Sequence, residues 1–211
     1  MHVYLCDIED AGSSEETILK FCLNYADDVG ADPAVRRSIE KAVVLRTPKG
    51  KPFLRDSNDI YFSVSHSGSV WGCAIDSSPL GFDIEDPARF RTARKTKTEN
   101  NRDSKWAKLA KRYFTGAEYD YVLWGGEMAF LKLWVRKEAY LKYKGSGLSG
   151  GLESFELIKN GRLICKLHDG WVDEIQIDDK LIAAYSSANR KLTGKIIDCR
   201  KANGLAVVKE F

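Results

Sequence analysis

Trp134-Val135-Arg136-Lys137-Glu138-Ala139-Tyr140-Leu141-Lys142 is the stretch whose reading decides the rest of the chain. It is made of good helix formers, and neither Gly nor Pro occurs across residues 128–144, so a helix is expected over that span. Trp134, Glu138 and Lys142 stand at i, i+4 and i+8 and lie along one side, with Leu131, Val135 and Leu141 as an apolar stripe beside them. Taken alone, a carboxylate one turn from an ammonium is a surface ion pair worth about a few tenths of a kcal/mol. Its meaning depends on what the chain sets against it.

Outward from this helix, Gly145-Ser146-Gly147-Leu148-Ser149-Gly150-Gly151 supplies glycines able to take left-handed caps, and Gly125-Gly126 punctuates the entry. Thr115-Gly116 separates an aromatic stretch, 118–124, from a helix that starts at Ser104 and runs through Trp106, Leu109, Ala110 and Tyr113. Downstream the pattern is strand-rich: 155–158 and 162–167 joined by Lys159-Asn160-Gly161 as a hairpin, then 171–177, 181–186, 196–198 and 205–208. Upstream, residues 1–8 alternate as a strand. Ser13-Ser14-Glu15-Glu16 caps a helix to about residue 25. Asp32-Pro33 opens a second helix towards Leu45, carrying Arg36, Arg37 and Lys41. A turn-rich segment, 47–53, leads to strands 60–64 and 70–75 around a turn at Ser65-His66-Ser67-Gly68. In Gly81-Phe82-Asp83-Ile84-Glu85 the apolar side chains take one face of a strand and the acids the other. Two carboxylates so placed repel each other unless a cation lies between them. The fold class expected is α+β, in two subdomains, 1–103 and 104–211.

The 211 residues, 44% hydrophobic and 30% charged, describe an ordinary globular chain, and no apolar run approaches the ~20 residues a membrane helix needs. The N-terminus lacks a basic leader, and five widely spaced cysteines without a C-x-x-C fit free thiols in a reducing cytosol. Three histidines exclude a histidine-rich metal site. Charge is uneven: residues 89–112 carry ten bases against two acids, net +8, and the other 23 bases and 28 acids leave the remainder at −5. Residues 86–103 read as an exposed basic loop.

Three features bear on chemistry: Asp83 and Glu85 on a strand, Glu138 and Lys142 on the helix, and Ser65-His66-Ser67-Gly68. Carboxylates together with phosphate oxygens are what Mg²⁺ accepts, and a lysine beside them suits a phosphate. The series S-H-S-G, G-F-D-I-E and W-V-R-K-E-A-Y-L-K-x-x-G-x-G-L resembles the 4′-phosphopantetheinyl transferases of the surfactin-synthetase type. Gly50-Lys51-Pro52 and Phe114-Thr115-Gly116-Ala117-Glu118 match two lesser motifs, so the likeness covers roughly residues 50–148.

That resemblance implies two similar α/β subdomains in pseudo-twofold arrangement. It also implies Mg-dependent transfer of phosphopantetheine from coenzyme A to a carrier-protein serine, releasing 3′,5′-ADP. By resemblance, Asp83, Glu85 and Glu138 hold Mg²⁺ (or Mn²⁺), and Lys142 sits on the pyrophosphate. Glu138 is the first choice of base, directly or through a water, ahead of the other two carboxylates, and Asp83 and Lys142 complete the catalytic set. Ser65 and His66 meet coenzyme A phosphates, Lys51 lines the adenine side, and Arg36 or Arg37 serves the 3′-phosphate. Lys137 adjoins Glu138 but points about 100° away on a helix. The basic segment 89–112 suits steering of an acidic carrier protein. A monomer is expected, since two related halves can complete one site. Two other classes use parts of the same sequence. A nucleic-acid binder would use the basic loop but leaves the carboxylates without a role, and a Mg-dependent pyrophosphate hydrolase would release phosphopantetheine to water.

Overall fold

The computed structural model describes residues 1–11, 14–89, 104–147, 151–191, 193–200 and 207–211. The chain runs β1 (His2–Asp7), α1 (Ser14–Asp28), α2 (Pro33–Lys41), β2 (Val43–Arg46), β3 (Pro52–Arg55), β4 (Tyr61–Ser67), β5 (Val70–Asp76) and β6 (Leu80–Glu85). After a 3-10 turn at Pro87–Arg89 come α3 (Lys105–Tyr113) and α4 (Gly116–Lys144). The final strands are β7 (Ile158–Lys159), β8 (Arg162–Leu163), β9 (Lys166–Leu167), β10 (Gly170–Ile175), β11 (Ile182–Ser187), β12 (Lys195–Asp198) and β13 (Val207–Glu210).

A five-stranded sheet, β13-β12-β1-β5-β4, stacks on a four-stranded one, β6-β11-β10-β9. Alternation along β1 shows how the layers form. Tyr4 and Cys6 join the core of α1 with Ile18, Phe21, Cys22 and Tyr25, whereas Val3 and Leu5 share a core with Phe82, Ile84, Ala183 and Tyr185 of the second sheet. The far face of that sheet takes α4 through Ala184, Val135 and Ala139. Trp106, Ala107 and Ala110 of α3 then pack with Val122, Phe130 and Leu131 of α4. Both sheets draw strands from either side of residue 103.

Local chemistry explains the elements and the departures from expectation. Asp32 caps α2 by accepting from Ala34 N at 2.7 Å, with Pro33 in the first turn. The helix stops at Lys41 instead of running towards Leu45, because Val43 and Val44 pair with Arg55 and Leu54. β-Branched side chains favour that pleated pairing over another helical turn. Ser65, His66 and Ser67 lie within β4 and not on a turn. The bend comes later, between the paired Ser67 and Val70, where Gly68 has φ 60°.

α4 begins at Gly116, well before residue 128, so the aromatic stretch is helical. The signal was the capping box: Thr115 accepts from Glu118 N, and the Glu118 carboxylate returns to the Thr115 N–H. Gly126, at φ 72° and ψ −158°, breaks the helix where the glycine pair stands, and Gly145 closes it at φ 65°. Asn160 and Gly161 both have positive φ, as a tight hairpin needs. The strand expected over 162–167 is divided, since Ile164 N bonds Leu157 O while Lys166 and Leu167 pair with β10. Expectations for residues 90–103 (Arg91, Arg94 and Lys95 among them), Ser13, Leu148 and Leu205 lie outside the described residues. Among the described residues, no helix is long and apolar enough to cross a membrane.

Candidate active site

The site forms where α4 lies directly on β6. A Cβ added at Gly81 would fall 1.9 Å from Ala139 O and 2.3 Å from Tyr143 N, so only glycine lets the helix backbone rest on the strand there. Glu138 and Lys142 bracket that contact and are thereby brought to Asp83. The Lys142 ammonium donates to Asp83 Oδ1 at 2.7 Å. Phe82 and Ile84 point the other way and are fully buried between the sheets.

The second edge of β6 is held by side chains. Ser63, Ser65 and Ser67 occupy alternate positions of β4, and their hydroxyls accept from Phe82 N at 3.0 Å, Ile84 N at 3.4 Å and Asp86 N at 2.9 Å. Ser65 Oγ also donates to Asp83 Oδ1 at 2.6 Å, and Ser67 Oγ donates to Glu85 Oε2. Arg89 adds a contact of 3.6 Å to the same Glu85 oxygen.

The electrostatics are those of crowded acids short of positive charge. Glu138 is pushed up to about 7, first by burial and then by Asp83, against the pull of Lys142, with Glu85 adding to the rise. Glu85 is likewise raised, chiefly by burial. Asp83 Oδ2 is buried without a hydrogen-bond partner. As the side chains stand, no three acidic, His or Cys groups among the described residues are gathered tightly enough to ligate one ion. The donor set nonetheless suits a hard cation: three carboxylates repel one another, and one buried carboxylate oxygen lacks a partner.

Beside the carboxylates opens a cleft of about 360 Å³ lined by Arg46, Lys49, Lys51, Glu138, Leu141 and Lys142, with Gly145 and Gly147 at its rim. Lys51 reaches across it, donating to Leu80 O at 3.2 Å and Tyr143 O at 3.4 Å. Burial lowers its ammonium to about 8. Arg46 at the end of β2 and Lys49 on the β2–β3 turn are exposed, and Arg46 Nη1 is steadied by Gly50 O at 3.3 Å. The sequence reading missed both, although the run Arg46-Thr47-Pro48-Lys49-Gly50-Lys51 concentrates bases just ahead of the G-K-P element.

Arg36 and Arg37, taken from the sequence for a phosphate, do not line this cleft. Arg36 is committed to Asp27 and Glu40, within α2 and its neighbour. His66 is exposed on the face of β4 shared with Val64, which lines the cleft, while the Ser65 hydroxyl turns to the Asp83 oxygen that also takes Lys142.

Lys137 also parts from Glu138. It is fully buried, 2.8 Å from Glu118 Oε2, and donates to Leu152 O and Phe155 O, each at 2.6 Å. Glu118 spends its other oxygen on Leu157 N at 2.8 Å. Trp134 belongs to this inner side as well, packed with Tyr113, Phe114 and Phe130 rather than along the cleft. Of the motif residues on α4, then, Glu138 and Lys142 face the site, while Trp134 and Lys137 tie the helix to its surroundings.

Comparison with known proteins identifies the family. Residues 79–187, which include β6 and α4, match the family model described as the 4′-phosphopantetheinyl transferase superfamily. The chain is 36% identical over 126 residues to 4′-phosphopantetheinyl transferase Sfp of Bacillus subtilis, covering 57% of this chain and 50% of that one. It is 31% identical over 137 residues to 4′-phosphopantetheinyl transferase psf-1 of Bacillus pumilus (62% and 52%). To 4′-phosphopantetheinyl transferase HetI of a Nostoc species it is 30% identical over 151 residues (66% and 58%). The chain spans about half the length of the first two of these curated relatives. With more than half of its residues inside the family model, and with the paired-acid strand and the site helix both in that span, the chain belongs to the 4′-phosphopantetheinyl transferase superfamily.

Proposed function

We propose that this protein transfers the 4′-phosphopantetheine arm of coenzyme A to a serine hydroxyl of an acyl- or peptidyl-carrier protein and releases 3′,5′-ADP. The observation that carries the reading is the junction of two unlike surfaces: Asp83 and Lys142 locked at 2.7 Å, with Glu138 beside them in a cleft otherwise charged by Arg46, Lys49 and Lys51. A nucleotide with a pyrophosphate and a further phosphate needs such a basic cleft, and the reacting pyrophosphate belongs at its acidic end.

Asp83, Glu85 and Glu138 would hold a divalent cation, Mg²⁺ in this proposal. What it supplies when bound is neutralisation of the carboxylates and of the pyrophosphate oxygens. Lys142 holds a pyrophosphate oxygen and stabilises the charge that develops on the departing 3′,5′-ADP. Glu138 takes the proton of the carrier serine directly or through a water. The serine oxygen then bonds to the phosphorus bearing the pantetheine arm while the bond from that phosphorus to the bridging oxygen breaks. Lys51, Arg46 and Lys49 bind the nucleotide end. An acidic carrier is steered by the basic segment 89–112, of which Lys108, Lys111 and Arg112 are exposed on α3. The accompanying fold reading is of two similar halves, 1–103 and 104–211. Each lends strands to the other's sheet, β6 in one direction and β12 with β13 in the other.

The test is incubation with coenzyme A, Mg²⁺ and an apo-carrier protein, read by intact mass. Gain of one phosphopantetheine on the carrier, abolished by EDTA and by Glu138→Gln, is the expected result. Release of free phosphopantetheine with an unmodified carrier would overturn the reading in favour of a hydrolase.

A further inference from the structure

We propose that Ser65 and Ser67 are positioning residues that set which oxygens of Asp83 and Glu85 are left to face a divalent cation. The inference rests on the cation reading given above. It starts from the serine ladder, in which three hydroxyls at alternate positions of β4 accept backbone N–H groups of β6 and of Asp86 just beyond it.

A serine hydroxyl has one proton to give and lone pairs to receive. At Ser65 the lone pairs meet Ile84 N, and the proton goes to Asp83 Oδ1 at 2.6 Å. That oxygen also takes the Lys142 ammonium at 2.7 Å. With Oδ1 doubly engaged, the carboxylate plane is fixed, and Oδ2 is left buried and without a partner. Such an atom in the interior is costly unless something arrives to use it. At Ser67 the lone pairs meet Asp86 N at 2.9 Å and Arg89 Nη1 at 3.2 Å, and the proton is committed to Glu85 Oε2. Each hydroxyl therefore links the backbone of β6 to a carboxylate on the same strand. It turns a flexible side chain into one with a defined free oxygen, as the groups behind metal ligands commonly do.

Ser63 is the internal control. Its hydroxyl accepts from Phe82 N at 3.0 Å just as the others do, but the acid-bearing face of β6 has Gly81 nearby instead of a carboxylate. A purely structural ladder would make the three serines equivalent. Orientation of the ligands makes Ser65 and Ser67 differ from Ser63.

Because Ser63 also borders the cleft, the experiment is Mn²⁺ titration at saturating 3′,5′-ADP, followed by electron paramagnetic resonance, on wild type, Ser63→Ala, Ser65→Ala, Ser67→Ala and Ser65→Thr. Thermal unfolding of each variant measures the structural share. Ser65→Ala and Ser67→Ala are expected to weaken Mn²⁺ binding about tenfold, and Ser63→Ala less than about twofold, while all three lower the unfolding temperature. Ser65→Thr, which keeps the hydroxyl, restores Mn²⁺ affinity and guards against a misfolded Ala variant. Equal Mn²⁺ affinity in wild type and Ser65→Ala, or an equal loss in Ser63→Ala, overturns the proposal while leaving the cation reading intact. Wild-type protein that takes up no Mn²⁺ removes the cation reading and this inference together.

Discussion

Lys137→Met separates two roles open to a lysine next to Glu138. Its ammonium is fully buried against Glu118 at 2.8 Å, with two carbonyl acceptors at 2.6 Å and the Phe155 ring 4.2 Å away. Removing it strands the Glu118 carboxylate in the interior, a change that costs about 3–5 kcal/mol. Loss of the ammonium over the aromatic ring adds about 1 kcal/mol. In a chain of this size each kcal/mol moves the unfolding midpoint by about 2–4 °C, so a fall on the order of 10 °C or more is expected. Glu118→Gln should cost a similar amount, and more than a pair alone would suggest, because Glu118 also holds Leu157 N and the cap of α4. The double variant, free of an unpaired buried charge, should lose less than the sum of the singles by about 2 kcal/mol. Urea and thermal denaturation measure the stabilities, and transfer is assayed well below the transition, where Lys137→Met should keep most of its turnover. Additive losses, or a variant as stable as wild type, refute the buried-pair argument. A folded Lys137→Met that binds coenzyme A normally but no longer transfers would place Lys137 in the chemistry.

Three further outcomes follow from the cleft. Arg46→Ala with Lys49→Ala should raise KM for coenzyme A about tenfold or more while leaving the KM for carrier unchanged, whereas Arg36→Ala, whose guanidinium is occupied by Asp27 and Glu40, should do neither. Lys51 is a base lowered by burial to about 8, so it binds fewer protons folded than unfolded between pH 8 and 10.5. Stability therefore gains from Lys51 as pH rises through that window, and its cost is constant below it. Under the proposed function coenzyme A affinity should run oppositely, falling above about pH 8 by up to about tenfold per unit, and Lys51→Met should remove both slopes on titration by calorimetry and melting. Gly81→Ala drives a methyl into Ala139 O, and should cost about 3 kcal/mol or more and lower kcat by moving Glu138 from Asp83; unchanged stability would mean that α4 does not rest on the strand.

The parts of this site legible in the sequence were those fixed by position along one element. Helical spacing set Glu138 and Lys142 one turn apart, and strand alternation set Asp83 and Glu85 on the face opposite Phe82 and Ile84. The closing glycine Gly145 and the Asp32-Pro33 cap were legible too, whereas Thr115-Gly116 read as a separator and hid the capping box that starts α4.

What the sequence could not decide was which neighbour each face meets, because that is set by packing between segments far apart in the chain. Lys137 and Glu138 differ by about 100° on α4, yet only the core formed with Phe114, Phe155 and Glu118 makes one a buried anchor and the other a cleft residue. Ser65 was legible as a polar group near the acids, but only the stacking of the two sheets gives its hydroxyl Asp83 as a partner. Arg36 and Arg46 are equally basic in sequence. The fold pairs the first with its own helix and delivers the second, on a short hairpin, to the rim of the cleft. Charge type is local information, but charge partnership is a property of three-dimensional proximity, and only the tertiary structure assigns it.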